Sequence, residues 1–312
     1  MRKSSTKMQM AVTSDYFLNT ASVCGSASVT RGSLHTSENL TGSDKQNEAH
    51  KKSVQKRLKL SNTLNADKVL HSSCNGSRTP TYGLNRLKDS FFDVPCEDLA
   101  KRLLGKILVR RINDGTVLKG RVVETECYPG GEDKASHSYN GRITERSKPM
   151  YMKPGTTYVY ITYGMYHCFN ISSQGAGAAV LLRALEPLEG LEFMQLERQK
   201  RRKTTSAAAT KRKELQVHDL CSGPAKLCMS FSITKSSCNE RDLAVWDGMW
   251  IEEDDSKEEA LHIVTSHRIG IDSVGTEWAL KPFRFYLLGN SSVSRRDKNR
   301  ENQFQEMIRG FP

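Results

Sequence analysis

At 312 residues the chain is long enough for one or two domains, and its 37% hydrophobic content and mean hydropathy of −0.57 put part of that length outside any packed core. No apolar run reaches the roughly 20 residues that cross a bilayer, and MRKSSTKMQMAVTSDY lacks the unbroken apolar core of a secretory signal, so membrane and secreted readings are set aside. The formal charge of +12 favours a polyanionic partner, although residues 1–90 hold 14 Lys/Arg against 6 Asp/Glu and leave only +4 for the remainder.

Residues 1–85 are rich in Ser, Thr, Asn and Lys without a sustained apolar period, which predicts a disordered basic tail. Within it, KKSVQKRLK resembles a nuclear-import patch and points to the nucleus. A single domain is expected over residues 86–290. Order begins near FFDVPCEDLAKRLLGKILVRR, where Asp93 and Pro95 start a helix carrying Leu99, Leu103 and Leu104, and Gly105 ends it. KILVRR reads as a strand, NDG as a turn and TVLKGRVVETECY as the partner strand. A Gly-, Ser- and charge-rich loop follows from Pro129 to about Pro154.

YVYITYGMYHCFN then reads as a hairpin, and AAVLLRALEPL as a strand buried on both faces. LEGLEFMQLERQKRRK predicts a helix with Leu188, Leu191 and Met194 on one side, followed by a mobile basic loop through TKRK. SGPAKLCMSF predicts a short helix opened by Ser222 and Pro224. WDGMWIEEDDSKEEALHIVTSHRIGI predicts a hairpin with an acidic tip, RFYLL a last strand, and residues 291–312 a frayed tail. Strands and helices mix without a βαβ rhythm. The expected fold is therefore α+β: a single domain on a curved, mostly antiparallel sheet with surrounding helices and a protruding β-hairpin.

Eight cysteines (24, 74, 96, 127, 168, 221, 228 and 238) include no C-x-x-C. CSGPAKLC has the spacing of two iron–sulphur ligands, but Cys238 lies too far on to complete a set. Reduced thiols are expected, with no metal and no cofactor. QGAGAAV lacks the third glycine of a dinucleotide-binding loop.

Two features carry chemistry. In a strand reading of VVETEC, Glu124 and Glu126 share a face roughly 7 Å apart, as paired carboxylates in glycosidic hydrolysis do. Seven of the ten tyrosines fall between Tyr128 and Tyr166. In the hairpin Tyr158 and Tyr160 share one face, with Val159 and Ile161 toward the core. Gly164 supplies the turn, and Tyr163 sits at the tip. A three-residue turn would put Asn170 on the face of Tyr158 and Tyr160; a two-residue turn would put it opposite. Rings on one face, a ring at the tip, an amide and a carboxylate suit the extrusion, stacking and reading of a nucleic-acid base.

VVETECYPGGEDKASHS, MKPGTTYVYITYGMYHCFNISSQG, VLLRALEPLEG, DLCSGPAKLC and EWALKPFRFYLLG, in that order from about Leu84 to about Leu288, resemble the alkyladenine (3-methyladenine) DNA glycosylase family. The resemblance implies a monofunctional glycosylase that removes alkylated or deaminated purines from double-stranded DNA in base excision repair. It implies Glu126 as the base that activates water, with Arg183 positioning that water. Tyr128, His137 and Tyr160 would enclose the flipped base, and Asn170 would exclude guanine. Tyr163 would be the wedge in the minor groove, and Arg142, Arg146 and Met165 would contact DNA. A monomer follows, with the N-terminal tail available to other repair proteins. Cys127 stands where Ala is common in the family, and Pro129 where Leu is. Two other readings compete: a non-enzymatic single-stranded nucleic-acid binder with a tyrosine stacking platform, and a small-molecule glycosidase using Glu124 and Glu126 as a pair.

Overall fold

Eight strands form one antiparallel sheet in the computed structural model, which describes residues 85–200, 214–255 and 261–309. The tail over residues 1–84, the segment 201–213 and the acidic tip 256–260 lie outside the described residues. The strands are β1 (Ile107–Arg111), β2 (Val117–Tyr128), β3 (Thr157–Thr162), β4 (Tyr166–Ser172), β5 (Ala179–Glu189), β6 (Met249–Glu252), β7 (Ile263–Ser266) and β8 (Arg284–Leu287). Their order is β3-β4-β5-β2-β1-β6, with β8 joining β2 and β7 joining β8. Seven α-helices among the described residues complete the α+β domain: α1 (Asp89–Phe92), α2 (Cys96–Arg102), α3 (Leu191–Lys200), α4 (Pro224–Ser230), α5 (Lys235–Cys238), α6 (Thr276–Ala279) and α7 (Lys298–Arg309).

The central strand is β2. Its first half pairs with β1 from Val117 to Arg121, and its second half pairs with β8 from Glu124 to Glu126, while β5 runs along its other edge. The β2–β5 register shifts on both sides of Glu124, an irregularity that re-aims side chains. On one face the Thr125 hydroxyl donates to the Ala100 carbonyl of α2 at 2.8 Å. Here the helix and sheet bury Leu99, Leu103, Val123 and Cys127 in the main core. Because side chains alternate along a strand, Glu124, Glu126 and Tyr128 are directed to the other face.

The tyrosine hairpin adopts the three-residue alternative. Thr162 pairs with Tyr166 and Tyr158 with Asn170, so the amide lies on the face of the paired tyrosine. Both Tyr163, at φ +50°, and Gly164, at φ +68°, are left-handed. Val159 is in the core as expected, whereas Ile161 is 46% exposed because β3 runs beyond the sheet's cover toward the tip.

Four further expectations change. Leu188 belongs to β5 rather than to a helix. Gly190, at φ +82° and with Leu118 Cδ2 against the place where a Cβ would stand, makes the break, and α3 begins at Leu191. Gly223, not Ser222, precedes α4, and the Ser222 hydroxyl accepts from Lys226 instead. The β6 and β7 strands do not pair with each other; β6 adds to β1 and β7 to β8, since partner choice is non-local. Residues 292–309 are not a frayed tail. Ser292 and Val293 are buried, and α7 is held by the Arg296–Glu301 ion pair and by a Tyr286–Glu301 hydrogen bond.

That C-terminal segment contributes directly to the sheet's charged face. Ser294 N–H donates to Glu124 at 2.7 Å, and Arg284 donates to the Arg295 carbonyl at 2.8 Å. Hydrogen bonds to charged groups contribute about 1.5–3 kcal/mol each. Ending the chain at Asn290 is therefore expected to cost at least about 3 kcal/mol. A denaturation midpoint equal to that of the full chain would contradict this packing.

Candidate active site

Two buried carboxylates and two buried guanidiniums form the centre of the charged face. Arg183, at the middle of β5, reaches both acids: Nε donates to Glu124 Oε1 at 3.2 Å, and Nη1 lies 3.1 Å from Glu126 Oε1. Arg284 of β8 donates to the same Glu124 Oε1 at 2.9 Å, and Ser294 N–H takes Oε2. Glu124 is thus enclosed by two arginines and a backbone N–H with no exposed surface. It acts as a structural counter-ion, and the pairing of Glu124 with Glu126 as joint catalytic acids loses its basis.

Glu126 has different partners. Tyr128, two residues on and so on the same strand face, donates its hydroxyl to Oε2 at 2.8 Å. The Ile269 backbone N–H donates to Oε1 at 2.8 Å. Burial, reinforced by the adjacent Glu126 charge, raises the Tyr128 phenol well above its ordinary value. Tyr128 therefore stays a neutral donor across the physiological range. Burial alone would lower the Arg183 value, but the charges of Glu126 and then Glu124 outweigh it and hold the guanidinium above its usual range. One wall of the site is reinforced from behind, where Arg268 lies 4.7 Å from the Tyr128 ring centroid and bridges Asp133 at 2.6 and 2.8 Å.

The second half of the site is aromatic. His137 meets Tyr160 edge to face, with centroids 4.8 Å apart and planes at 87°, an arrangement favoured by ring quadrupoles. His137 Nδ1 shares a 2.7 Å hydrogen bond with the Tyr158 hydroxyl. Tyr158 is only 2% exposed and supports the pair from behind. The loop carrying His137 closes against Gly177, at φ +74°, where an added Cβ would stand 2.6 Å from Ser138 Cβ. Asn170 is buried beside this cluster and donates Nδ2 to the Tyr158 carbonyl at 3.0 Å.

The other expected contacts spread outward. Tyr163, at 88% exposure, and Met165, at 56%, crown the hairpin tip. Arg142 is exposed on the loop before β3. Arg146 is exposed on the same loop, and its guanidinium lies 4.6 Å from the Tyr160 ring centroid, a cation–π contact at the aromatic site itself. Sequence reasoning missed Arg284, Ser294 and the Ile269 N–H. A backbone donor leaves no residue signature, and Arg284 sits in a run that read simply as the last strand.

Burial first, and then the Arg146 charge, lower the His137 imidazole to about 4. It is therefore neutral near pH 7 and cannot supply a proton there. The unfolded chain would bind this proton below about pH 6.5, while the folded chain resists it down to about 4. Stability linked to His137 is complete above 6.5 and is lost as pH falls toward 4. An NMR titration should show one imidazole with a midpoint near 4 that disappears in His137→Gln; a midpoint at 6 or above would refute this environment.

Residues 90–291 match the family described as Methylpurine-DNA glycosylase (MPG). The chain is 50% identical over 227 residues to a Homo sapiens protein named DNA-3-methyladenine glycosylase, covering 73% of this chain and 74% of that protein. A Mus musculus protein of the same name is 52% identical over 222 residues, 70% of this chain and 64% of its own length. A Clostridium tetani protein named Putative 3-methyladenine DNA glycosylase is 43% identical over 213 residues, 68% of this chain and all of its own.

Proposed function

The chain belongs to the methylpurine-DNA glycosylase family, and from that premise we propose that it extrudes damaged purines from duplex DNA and hydrolyses their N-glycosidic bond with a water activated by Glu126. It is a DNA glycosylase of base excision repair. The observation that carries the residue assignment is the asymmetric placement of the two acids. Arg183 touches both, but only Glu126 adjoins the aromatic site through Tyr128.

Breaking the bond from C1′ to the purine leaves positive charge on the sugar. An ionised Glu126 stabilises that charge and accepts the proton of the attacking water. Arg183 fixes the carboxylate and aids placement of the water. Glu126 has no surface open to bulk solvent, so the nucleophile enters with the substrate and exchanges with the Tyr128 hydroxyl at Oε2. The base is enclosed by Tyr128, His137 and Tyr160. A cationic alkylpurine benefits most, through cation–π attraction, and already has a good leaving group. Arg146, now over Tyr160, must give way to the base or stack beside it. Asn170, pinned by its bond to the Tyr158 carbonyl, presents a fixed edge that rejects the guanine 2-amino group. Tyr163 fills the gap left in the duplex, with Met165 and Arg142 on the flanking backbone. The enzyme acts as a monomer in the nucleus, to which KKSVQKRLK directs it, and the N-terminal tail carries contacts to other repair proteins. A single-stranded binder would not need a buried carboxylate held beside the rings.

Free purine released from methylated duplex is the decisive assay. Wild type should release 3-methyladenine and 7-methylguanine. Glu126→Gln should lose at least about 10³-fold in single-turnover rate while still binding an abasic-analogue duplex; such losses accompany removal of a group acting in the transition state. Full activity in Glu126→Gln would end this mechanism. Tyr163→Ala is expected to weaken lesion-duplex binding about 10-fold or more, in line with loss of about 1–3 kcal/mol per stacked ring. Unchanged affinity would remove the wedge role.

A further inference from the structure

A cavity of about 470 Å³ is lined by residues that hold the two carboxylates, and the glycosylase reading leaves it unused. Its walls include Arg268, Ile269, Arg284, Arg295, Arg296 and Lys298. Three of these residues reach the candidate active site directly: the Ile269 N–H holds Glu126 at 2.8 Å, Arg284 holds Glu124 at 2.9 Å, and Arg268 lies 4.7 Å from the Tyr128 ring centroid. Arg295 follows Ser294, whose N–H binds Glu124. Ile269 thus both lines the cavity and holds Glu126.

Its charges divide into two kinds. Arg268 is paired with Asp133, Arg284 with Glu124 and Arg296 with Glu301, and these three acids are at most 5% exposed behind the wall. Arg296 is nevertheless 51% exposed. Arg295 and Lys298 are exposed, and neither side chain has an ion-pair or hydrogen-bond partner among the described residues. Against them stand Asp297, whose carboxylate already accepts from the Ser266 hydroxyl and the Arg300 N–H, and the exposed Asp272.

We infer that this cavity docks a backbone phosphate of the damaged strand between Arg295 and Lys298, next to the extruded nucleotide. The inference deepens the glycosylase reading and rests on it. The ligand chemistry is a phosphate oxyanion met by unpaired cations, with the half-exposed Arg296 as a third donor. Since Ile269 and Arg284 serve both the carboxylates and the cavity wall, docking there would fix the sugar against Glu126 while the rings hold the base.

The test compares Arg295→Ala/Lys298→Ala with wild type and with Arg300→Ala, which removes a charge from the same helix but does not line the cavity. Each is titrated with a duplex containing an abasic-site analogue at 50–200 mM NaCl. The double variant should bind about 10-fold or more weakly at the low end, with a log–log salt slope shallower by about 0.9 for the lost phosphate. Arg300→Ala should leave the slope near that of wild type. A double variant with the affinity and slope of Arg300→Ala overturns the inference. So does a result in which inorganic phosphate raises the melting temperature of wild type alone while duplex affinity is equal, since the cavity would then serve a free anion. Base release by wild type from methylated duplex, measured in parallel, separates the two readings: its absence defeats the glycosylase mechanism, whereas its presence with unchanged slopes defeats only the phosphate site.

Discussion

One guanidinium shared by two buried acids organises this protein. Burying Glu124 and Glu126 side by side without compensation would be prohibitive, and Arg183 reaches both. The arrangement needs β2 to present two carboxylates on one face and β5 to lie alongside with its arginine opposite. It also needs β8 and the C-terminal segment to close over Glu124 with Arg284 and the Ser294 N–H. Once Glu124 is saturated in this way, Arg183 becomes a rigid post for Glu126. The remaining Glu126 contacts, from Tyr128 and Ile269, tie it to a ring of the aromatic site and to the wall of the basic cavity. Much of the fold can be understood as the support this charge cluster requires.

Rigidity is unevenly distributed. Glu126, Asn170 and Tyr158 are buried on sheet strands, each fixed by hydrogen bonds. By contrast, the hairpin leaves the sheet's cover before its tip, where two consecutive left-handed residues hold Tyr163 out at 88% exposure. The proposed wedge at Tyr163 would have to protrude and the proposed pocket wall would have to stay still, and a hairpin buried at its base alone meets both demands. Arg146 lies between these regimes. It is exposed on a loop yet stacked on Tyr160, where it lowers the neighbouring His137 and occupies ring surface that a base would use.

What could be read in the sequence follows the range of the interactions involved. Short strand-like runs bounded by turn signals placed β1, β2, β3, β4, β5 and β8, because those signals are local. The three-residue turn then determined the face of Asn170, which the sequence alone left as two alternatives. Glu126 and Tyr128, two apart on one strand, were bound to share a face, and they meet at 2.8 Å. Long-range choices were hidden. The segments β6 and β7 look like hairpin arms locally but pair with β1 and β8. The residues after Ser291 have a polar composition that suggests fraying, yet their backbone N–H and carbonyl groups satisfy buried charges across the sheet. The resemblance to known glycosylases located side chains by motif position. It had nothing to offer for the Ile269 N–H, a main-chain donor, or for the part Glu124 plays as counter-ion.

The central claim is that Arg183 works through Glu126, and a double-mutant cycle in single-turnover base release tests it most directly. Arg183→Lys and Glu126→Gln are measured singly and together on a duplex carrying 7-methylguanine. Groups that act as a unit are strongly non-additive, so the combined variant should be no slower than Glu126→Gln alone. If the two losses multiplied instead, Arg183 would be acting independently of the carboxylate, and the account built on their contact would be wrong.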